Sequence, residues 1–402
     1  MKKKILALVL VMALVVSVAI GLAACNDDTD QLTFGLICLH DENSTYDKNF
    51  IDAAREAAEA KNAKLIIRTG IPESAACYDA AVDLVDQGCD VIFADSFGHE
   101  TYILQAAEEF PEVQFSHATG THAHTEGLDN FHNAFASIYE GRYLAGVVAG
   151  YELNEMIESG KITEDQAKMG YVGAYPYAEV VSGYTSFYLG AKSVCPSVTM
   201  EVRYTSSWYN ETAEKNTATA LINNGCVLIS QHADSSGAPT ACQEAGIPNV
   251  TYNLAFPGNS TYLVGSRINW APYFEYLIDC VANGTEVADD WTGHLSTGSV
   301  ELLAYGAGVS DEVKAKVEEV EAKLLDGSLK VFDCSTFTVG GKMLTEYMAD
   351  VHPDPDPKNP IPDTQVIKTE NGVTYFAESA DGFRSAPYFD VRIDGITEIN
   401  EA

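Results

Sequence analysis

The amino-acid sequence predicts an α/β protein with two lobes, each built on a parallel sheet that helices cover on both faces. Three observations support this prediction. Short apolar strands alternate with amphipathic helices along most of the chain, which is typical of parallel sheets. One helix–strand–helix–strand unit occurs twice, as expected for two lobes of similar topology. The chain of 402 residues also exceeds the usual size of a single hydrophobic core.

The first 25 residues have the pattern of a lipoprotein signal peptide. A basic start, "MKKK" (1–4), precedes a run of apolar and small residues that ends in "LAAC" (22–25), a pattern typical of secretory signals. We therefore expect 1–24 to be the signal peptide, Cys25 to carry a lipid and 25–31 to be a tether. The alternative is an uncleaved transmembrane anchor. In both cases the remaining chain is extracytoplasmic and attached to the bacterial cell membrane.

Acidic residues dominate the charge of the chain. It contains 58 acidic and 24 basic residues, which give a formal net charge of −34. Such a protein repels nucleic acid and anionic lipid, so we exclude nucleic acid as a partner. The nine cysteines include no C-x-x-C pair. Apart from Cys25, we expect most of them to be buried thiols.

Strands and helices alternate from residue 32 onward. The pattern predicts strand 32–39, helix 48–62, strand 64–70, helix 74–87, strand 90–96, helix 100–110 and strand 113–119. We assign residues 32–150 and 269–300 to the first lobe. Residues 151–268 and 301–340 form the second lobe in this prediction.

The repeated unit predicts a ligand cleft between the lobes. Residues 83–115 resemble residues 220–252 in the order of helix, Gly-Cys turn, strand, polar loop, helix and strand. The loop "ADSFGH" (94–99) is therefore the counterpart of "QHADSS" (231–236). Both follow the carboxyl end of a parallel strand, where such sheets bind ligands. Two facing lobes would place these polar loops on opposite walls of one cleft.

The composition changes beyond residue 340. "HPDPDPKNPIPD" (352–363) holds five of the fourteen prolines, so it should be extended. "TENGVTYF" (369–376) contains Asn-Gly, which predicts a hairpin. We expect 341–402 to form a small β-rich extension packed on one lobe.

Motif analysis gives little support to catalysis. The sequence contains no G-x-S-x-G elbow, no phosphate-binding loop, no H-E-x-x-H helix and no dinucleotide fingerprint. His232, Asp234 and the adjacent serines supply the residue types of a hydrolytic triad, but not the oriented arrangement that a triad needs. We predict a binding protein without catalytic residues or cofactors, and keep a lipoprotein nucleoside hydrolase as an alternative.

The sequence offers residues for two kinds of binding site, a metal site and a site for a flat heterocycle. Histidines 117, 122, 124 and 132 could bind zinc, but cysteines or paired carboxylates at the usual spacing do not accompany them. We therefore predict no metal site. Aromatic residues at loop positions beside strand ends instead suit a flat heterocycle, which stacks on aromatic side chains; they are Tyr46, Phe97, Tyr175, Tyr177, Trp208, Tyr209 and Trp270.

Several sequence blocks resemble the basic-membrane-protein family of lipoproteins, the substrate-binding proteins of ABC importers for purine nucleosides. "YDKNFIDAAREAA" (46–58) and "EGRYLAGVVAG" (140–150) are similar to the family's first loop and to its Gly-rich helix. Further blocks are similar to the branch that binds purine bases; they are "FSHATG" (115–120), "YVGAYPYAEVVSG" (171–183), "SSWYN" (206–210), "QHADS" (231–235) and "NWAPYF" (269–274).

The resemblance implies a type I periplasmic-binding-protein fold with two Rossmann-like lobes. It implies that a purine base or nucleoside binds between the lobes and is delivered to a permease and its ATPase. The ligand-binding residues implied are Tyr46, Asn49, Ser96, Phe97, His117, Tyr175, Trp208, His232, Asp234, Asn253 and Trp270.

The sequence departs from the family pattern in three places. Ser44 replaces a tryptophan of the first loop, and Asn269 replaces a carboxylate near the hinge. The segment "VTYNLAF" (250–256) lacks the Asp that nucleoside binders use for ribose hydroxyls, which favours a free base slightly. A type I sugar or autoinducer binder remains an alternative, because Ser44 and the many Asn and Asp residues would suit sugar hydroxyls.

Overall fold

The computed structural model of the protein describes residues 31–354, 358, 360–379 and 383–399. The predicted signal peptide, Cys25 and nearly all of the predicted tether therefore lie outside the described residues. None of the helices in the described part of the chain combines the length and apolar composition that a membrane-spanning segment needs.

The first lobe is built on a six-stranded parallel sheet. Its strands are β1 (Thr33–Ile37), β2 (Lys64–Arg68), β3 (Val91–Ala94), β4 (Gln114–Ala118), β5 (Phe131–Ala136) and β11 (Asp290–Gly293). They lie in the order β11-β5-β4-β3-β1-β2. Every residue of β1, β3 and β5 is buried, because helices cover both faces of the sheet. The side chains on each face are apolar or hydrogen-bonded.

The second lobe repeats this topology. Its strands are β6 (Lys168–Gly173), β7 (Thr199–Tyr204), β8 (Leu228–His232), β9 (Asn249–Tyr252), β10 (Tyr262–Ile268), β12 (Val300–Leu302) and β17 (Ile396–Ile399). They lie in the order β12-β10-β9-β8-β6-β7-β17, and only β12 runs antiparallel to its neighbour. The repeated unit predicted from the sequence thus corresponds to β3–β4 in one lobe and β8–β9 in the other. The predicted fold class is confirmed.

The helices follow the strands as the sequence pattern predicts. They are α1 (Thr45–Lys61), α2 (Ala75–Asp86), α3 (Glu100–Glu109), α4 (Ala123–Glu126), α5 (Ile138–Glu158), α6 (Ala178–Val194), α7 (Glu211–Asn223), α8 (Gly237–Ala245), α9 (Ala271–Asn283) and α10 (Asp311–Leu325). Short 3₁₀ turns occupy Phe97–His99, Glu164–Gln166 and Leu295–Thr297. The side chain of Ser44 caps α1 by accepting the Asp47 N–H, which satisfies one free donor of the first turn.

Helices α5 and α6 pack tightly in the second lobe. A methyl group at Gly146 would lie 2.0 Å from the Phe187 carbonyl oxygen, and one at Gly190 would lie 2.0 Å from the Tyr143 carbonyl oxygen. Only glycine allows two helix backbones to approach this closely. Helix α5 packs in the core of the second lobe from Tyr143 onward, while Ile138 at its start belongs to the core of the first lobe; the sequence-based prediction assigns residues 138–150 to the first lobe. The chain passes from the first sheet to this helix at Ser137, which lies between β5 and α5.

The C-terminal extension is rich in β-structure and completes the second lobe. It contains β13 (Met348–Ala349) paired with β14 (Thr364–Gln365), and β15 (Ile367–Glu370) paired with β16 (Val373–Phe376). Asn371 and Gly372 form the predicted hairpin turn with φ angles of 51° and 84°, as expected for this dipeptide. Strand β17 adds to β7, and Phe389 stacks on Phe332 with ring centroids 4.2 Å apart.

Eight cysteines occur in the described part of the chain, and all eight are buried free thiols; they are Cys38, Cys77, Cys89, Cys195, Cys226, Cys242, Cys280 and Cys334. They pack as small apolar residues in the cores of both lobes.

A buried carboxyl joins the extension to the second lobe. Glu378 accepts hydrogen bonds from the Ser182 hydroxyl and from the Tyr388 and Phe389 N–H groups. Burial raises the pKa of Glu378 from 4.5 to about 7, although these hydrogen bonds oppose the shift. The folded protein therefore binds this proton more tightly than the unfolded chain does, and the contribution to stability is lost as the pH rises through about 7.

We expect the substitution Glu378→Gln to remove this pH dependence, because a glutamine amide stays neutral. The free energy of unfolding of the variant, relative to the wild type, should rise by about 3 kcal/mol between pH 4.5 and pH 8. Denaturant unfolding across this range measures the difference. Glu346→Gln, an exposed change in the same extension, serves as the control; parallel curves for wild type and Glu378→Gln would contradict the assignment.

Candidate functional site

A cavity lies where the carboxyl ends of the two sheets face each other. Its atom-free space, counted out to its mouth, is about 360 Å³. Residues of both lobes line it; they are Leu39, His40, Tyr46, Asp47, Ser96, Phe97, Thr119, Glu179, Trp208, His232, Asp234 and Tyr252. The loops after β3 and β8, which the sequence predicted to face each other, supply Ser96, Phe97 and Asp234.

The wall formed by the first lobe is fixed by hydrogen bonds to backbone carbonyls. The Tyr46 hydroxyl donates to the Asp95 carbonyl at 2.9 Å. The His117 Nε2 atom lies 2.6 Å from the Ser96 carbonyl oxygen, so this nitrogen is the protonated one. These contacts hold the loop after β3 in place, with Ser96 and Phe97 turned to the cavity.

Asp47 and Asp95 form a carboxyl pair behind this wall. Asp47 accepts the His40 N–H at 2.7 Å and the Ser44 hydroxyl at 2.5 Å. Burial alone would raise the pKa of Asp47, but these hydrogen bonds lower it below its ordinary value. Burial and the charge of Asp47 raise the pKa of Asp95 well above its ordinary value. The pair is therefore one carboxylate and one carboxylic acid, as expected for two adjacent carboxyl groups.

Cys38 completes a group of three buried metal-ligand types with this pair. One ligand atom of each residue lies within 4.8 Å of the other two. Burial raises the pKa of the Cys38 thiol, and the charges of Asp95 and Asp47 add to this effect. A protonated thiol beside a protonated carboxyl donates hydrogen bonds rather than binding a metal ion. We therefore describe the group as a hydrogen-bonded cluster that supports the cavity wall.

His232 and Tyr252 form the wall of the second lobe. Their rings are 4.1 Å apart between centroids, and His232 Nε2 lies 3.3 Å from a Glu179 carboxylate oxygen. Burial lowers the pKa of His232, and the charge of Arg142 adds to this effect while Glu179 opposes it. His232 is therefore neutral at pH 7 and donates Nε2–H to Glu179, a tautomer assigned from its partner.

The fully buried Arg142 lies behind this wall. Its guanidinium donates hydrogen bonds to the Ser230 hydroxyl at 2.6 Å, the Thr251 carbonyl at 3.1 Å, the Tyr171 hydroxyl at 3.2 Å and the Ser266 hydroxyl at 3.3 Å. These partners belong to β9, β8, β6 and β10, four neighbouring strands of one sheet. Arg142 thus sets the relative positions of the strands that end in His232 and Tyr252.

Asp234 and Glu179 are the carboxyl groups that the second lobe presents to the cavity. Asp234 is held by its backbone. Its backbone N–H donates to the Trp208 carbonyl, and its carbonyl accepts the Thr45 N–H of the first lobe at 2.9 Å. Burial raises the pKa of Asp234 well above its ordinary value, and the charges of Glu214, Asp47 and Glu179 add to this effect. A carboxyl group in this environment is stabilised as a carboxylate by a ligand that donates N–H or O–H groups.

Aromatic side chains enclose the outer part of the cavity. Trp208 meets Tyr175 edge to face at 5.2 Å between centroids, and Tyr177 stacks on Tyr175 at 5.2 Å. Phe97 of the first lobe lies 5.4 Å from Tyr177 of the second. His40 and Tyr209 also meet across the cleft, at 5.5 Å. The two lobes are therefore in contact around the mouth, in a closed arrangement.

The structure brings six of the eleven predicted ligand-binding residues together in the cavity lining; they are Tyr46, Ser96, Phe97, Trp208, His232 and Asp234. The others lie behind or beside it. His117 supports Ser96, and Tyr175 supports Trp208. Asn49 Nδ2 and Asn253 Oδ1 are buried without a hydrogen-bond partner among the described residues.

Trp270 is removed from the predicted site. Its side chain is 1% exposed and stacks on Phe50 in the core of the first lobe, with ring centroids 4.4 Å apart. Phe93, Phe135 and Phe274 complete the aromatic cluster around it. The Trp at the start of α9 faces the sheet rather than the cleft, because it covers the apolar surface that α1 leaves open.

Six lining residues were not predicted; they are Leu39, His40, Asp47, Thr119, Glu179 and Tyr252. Asp47, Thr119 and Glu179 lie in sequence blocks that carry the family resemblance, so the signal for them was present. Tyr252 immediately precedes Asn253 and reads as an ordinary strand residue. Its hydroxyl is buried without a hydrogen-bond partner in the part of the chain that the structure describes, which marks it as a polar contact for a ligand.

The arrangement around His232 differs from a hydrolytic triad. His232 contacts Glu179 and, at 3.5 Å, the Tyr171 hydroxyl. Ser235 accepts the Gly237 N–H and lies at the start of α8. In the described structure no serine hydroxyl is hydrogen-bonded to His232, so the residues that suggested a nucleophile and a base do not form one unit.

The four neighbouring histidines of the first lobe each contact different partners. His117 contacts Ser96, His122 contacts Glu126, and His132 contacts Gln114. His124 contacts Asp290 and His352. Their imidazoles therefore do not converge on one point in the described structure.

A closed cleft between two lobes of similar topology is the architecture of a two-lobed ligand-binding protein. Solved structures share this fold: a solute-binding protein of an ABC transporter system from Aeropyrum pernix K1 has a TM-score of 0.63 at 17% identity, covering 75% of this chain and 93% of that one. A second, from Conexibacter woesei, has a TM-score of 0.59 at 20% identity, covering 74% and 98%. The fold is that of type I periplasmic binding proteins.

Sequence comparison identifies the family. A profile of the Bmp family, described as ABC transporter substrate-binding protein PnrA-like, matches residues 38–333. The chain belongs to this family, whose members are non-enzymatic components of ABC transporters. It is 32% identical to a purine-binding protein of Brucella abortus over 70% of this chain and 77% of that protein. It is 34% identical to a putative ABC transporter glucose-binding protein of Haloferax volcanii, over 62% of this chain and 60% of the relative's length.

We expect binding of a neutral ligand that donates an N–H group to Asp234 to release a proton, because the raised pKa keeps this carboxyl protonated in the free protein. Affinity should therefore fall as the pH drops through the raised pKa of Asp234. Asp234→Asn should abolish proton release and weaken binding about tenfold. Calorimetry in two buffers of different ionisation enthalpy measures both quantities.

The control for this experiment is Asp41→Asn, which removes an exposed carboxylate outside the cavity lining. It should leave proton release and affinity unchanged. Equal proton release by the wild type and by Asp234→Asn would assign the titrating group elsewhere.

Proposed function

We propose that this protein binds a purine base or purine nucleoside between its lobes and delivers it to the permease of an ABC importer. One observation carries the proposal: a buried carboxyl acceptor, Asp234, and an aromatic face, Trp208, line the same cavity from one lobe. A purine presents N–H donors on its edge and a flat π surface on its face. Base–aromatic stacking contributes about 1–3 kcal/mol.

The other lining residues suit the same ligand. Phe97 approaches from the opposite lobe, so that a flat ring would have an aromatic neighbour on each side of the cleft. The Tyr252 hydroxyl can donate or accept, whereas the Ser96 hydroxyl donates to Glu73 at 2.7 Å and can accept a hydrogen bond from a ligand. The relative named as a purine-binding protein supports this assignment.

Sugar binding is the second candidate. Asp47, Glu179 and Asp234 could accept hydrogen bonds from sugar hydroxyls, and the Haloferax relative is named as a putative glucose-binding protein. We favour the purine because Asp47 is already occupied by His40 and Ser44, and Glu179 by His232. These contacts leave Asp234 as the principal acceptor of the cavity.

We further propose that a lipid on Cys25 attaches the protein to the membrane, with the binding lobes outside the cytoplasm. The basic, apolar and "LAAC" segments of the N-terminus support this proposal. A tether of few residues would keep the cleft close to the membrane surface and thus close to a permease.

Calorimetric titration with adenine, guanine, hypoxanthine, xanthine and their nucleosides should find a purine that binds more tightly than ribose or glucose. Trp208→Ala should weaken the tightest of these about 5- to 150-fold, because it removes 1–3 kcal/mol of stacking. Tyr209→Phe is the matched control, because Tyr209 is the next residue along the chain and its ring does not line the cavity.

Two results would contradict the purine assignment. One is heat from glucose or another sugar with none from any purine. The other is a purine affinity that Trp208→Ala leaves unchanged while its melting temperature stays at the wild-type value.

The substitution Cys25→Ala should yield a protein that is neither cleaved after residue 24 nor labelled by fatty acid. Mass spectrometry of the purified protein measures cleavage, and metabolic labelling with radioactive palmitate measures lipidation. Ser44→Ala, remote from the signal, should label as the wild type does. Continued labelling of Cys25→Ala would show that the lipid is on another residue.

A further inference from the structure

The C-terminal extension contacts both lobes. Its apolar residues pack in the core of the second lobe, and β17 belongs to the second sheet. Two of its polar residues reach the first lobe instead. Ser385 donates its N–H and its hydroxyl to one oxygen of Asp290, at 2.7 and 2.8 Å. His352 Nδ1 lies 2.8 Å from His124 Nε2.

His124 and Asp290 form one hydrogen-bonded chain with these groups. His124 Nδ1 donates to the second oxygen of Asp290 at 2.5 Å. Both residues are largely buried, with side-chain exposures of 18% and 10%. The chain therefore runs from the extension through His352, His124 and Asp290 and back to the extension at Ser385. A contact of this kind breaks whenever the lobes separate at this edge.

The extension also forms one side of the mouth of the cleft. An outer chamber with about 1170 Å³ of atom-free space, counted out to the solvent, opens from the ligand cavity. Phe97, Thr119, Glu179 and Trp208 line both spaces. The extension supplies the remaining side of the chamber, through residues that include Tyr347, Met348, Asp350, Arg384 and Tyr388. A ligand leaving the cavity in this direction passes the extension.

We propose that the extension is a strap that holds the lobes closed through the hydrogen-bonded chain Ser385–Asp290–His124–His352. The residues of the chain are positioning residues: they touch the opposite lobe rather than the ligand. They lower the free energy of the closed arrangement and so raise the affinity for any ligand that the closed cleft binds. The extension lies beyond the residues matched by the family profile, 38–333.

The chain contains a titratable link. With both imidazoles neutral, His124 Nδ1–H donates to Asp290 and one further proton lies between His124 Nε2 and His352 Nδ1. One additional proton is accommodated, because either imidazolium can donate to its neutral neighbour. Two additional protons place N–H against N–H and break the link. The strap should therefore release only when both histidines are protonated.

The surrounding charges set the order of these protonations. Burial alone would lower the pKa of His124, but Asp290 outweighs it and raises the pKa, with smaller contributions from the Val351 carbonyl and Asp289. Burial and the neighbouring His124 lower the pKa of His352, against the charges of Asp290 and Asp350. His124 is protonated first, and the proton that breaks the link binds His352 below pH 6.5.

Small-angle X-ray scattering on the ligand-free full-length protein tests the strap without any ligand. The mean radius of gyration of the wild type should be larger at pH 5 than at pH 7.5. His352→Ala should have the larger radius already at pH 7.5, because its closed population falls several-fold. His352→Asn should keep the smaller radius at both values, because its amide does not titrate and can donate N–H to neutral His124 or accept the N–H of protonated His124 with its oxygen. His122→Ala, on the same loop but paired with Glu126 inside the first lobe, should behave as the wild type.

Calorimetry with hypoxanthine as the probe provides a second measurement. His352→Ala should weaken its binding about threefold to tenfold at pH 7.5, the effect of one hydrogen bond, and His122→Ala should not. Failure of hypoxanthine to bind the wild type would count against the purine assignment alone, since the scattering experiment would still decide the strap. Identical scattering of wild type, His352→Ala and His352→Asn at both pH values would overturn the strap.

Discussion

The buried guanidinium of Arg142 is the interaction on which the wall of the second lobe depends. It leaves α5 and donates hydrogen bonds to β6, β8, β9 and β10 at once. Burying a charge costs several kcal/mol unless hydrogen bonds replace its water. Here hydroxyls and a carbonyl supply that replacement, and the rings of Tyr171, Phe187 and Tyr252 surround the cation at 5.0–5.9 Å. Because all four strands accept hydrogen bonds from this one cation, the positions of His232 and Tyr252 at the strand ends are fixed relative to each other.

The same cation divides the site electrostatically. Behind the wall, Arg142 disfavours protonation of His232. In front, Asp47, Glu179 and Asp234 face the cavity, and their mutual repulsion contributes to the raised pKa of Asp234. An anionic ligand would meet three carboxyl groups, whereas a neutral ligand with N–H donors would relieve their repulsion. The cleft is thus acidic like the chain as a whole, and the negative charge of both repels phosphorylated ligands.

The sequence predicted the elements of this arrangement where local pattern determines them. Apolar runs such as "DVIFADS" could only be buried strands, and the repeat implied that the loops after β3 and β8 face each other. Trp270 and Tyr252 show the limit. Each lies at a strand end, and local sequence does not tell which side of the sheet a ring covers; Trp270 fills a gap beside Phe50, whereas Tyr252 is turned to the cavity. Strand β17 pairs with β7 across nearly 200 residues, a contact that no local pattern encodes.

The extension illustrates how one segment can be fixed to one lobe and still act on the other. Its contact with the second lobe is apolar and belongs to a hydrophobic core, so separating it would cost much of that lobe's stability. Its contact with the first lobe consists of a few hydrogen bonds at the edge, each contributing about 1 kcal/mol. Contacts of that size are small enough to break in every binding cycle, yet large enough to change the population of a closed state several-fold. The division between strong and weak contacts lets the extension move as part of the second lobe while it biases the position of the first.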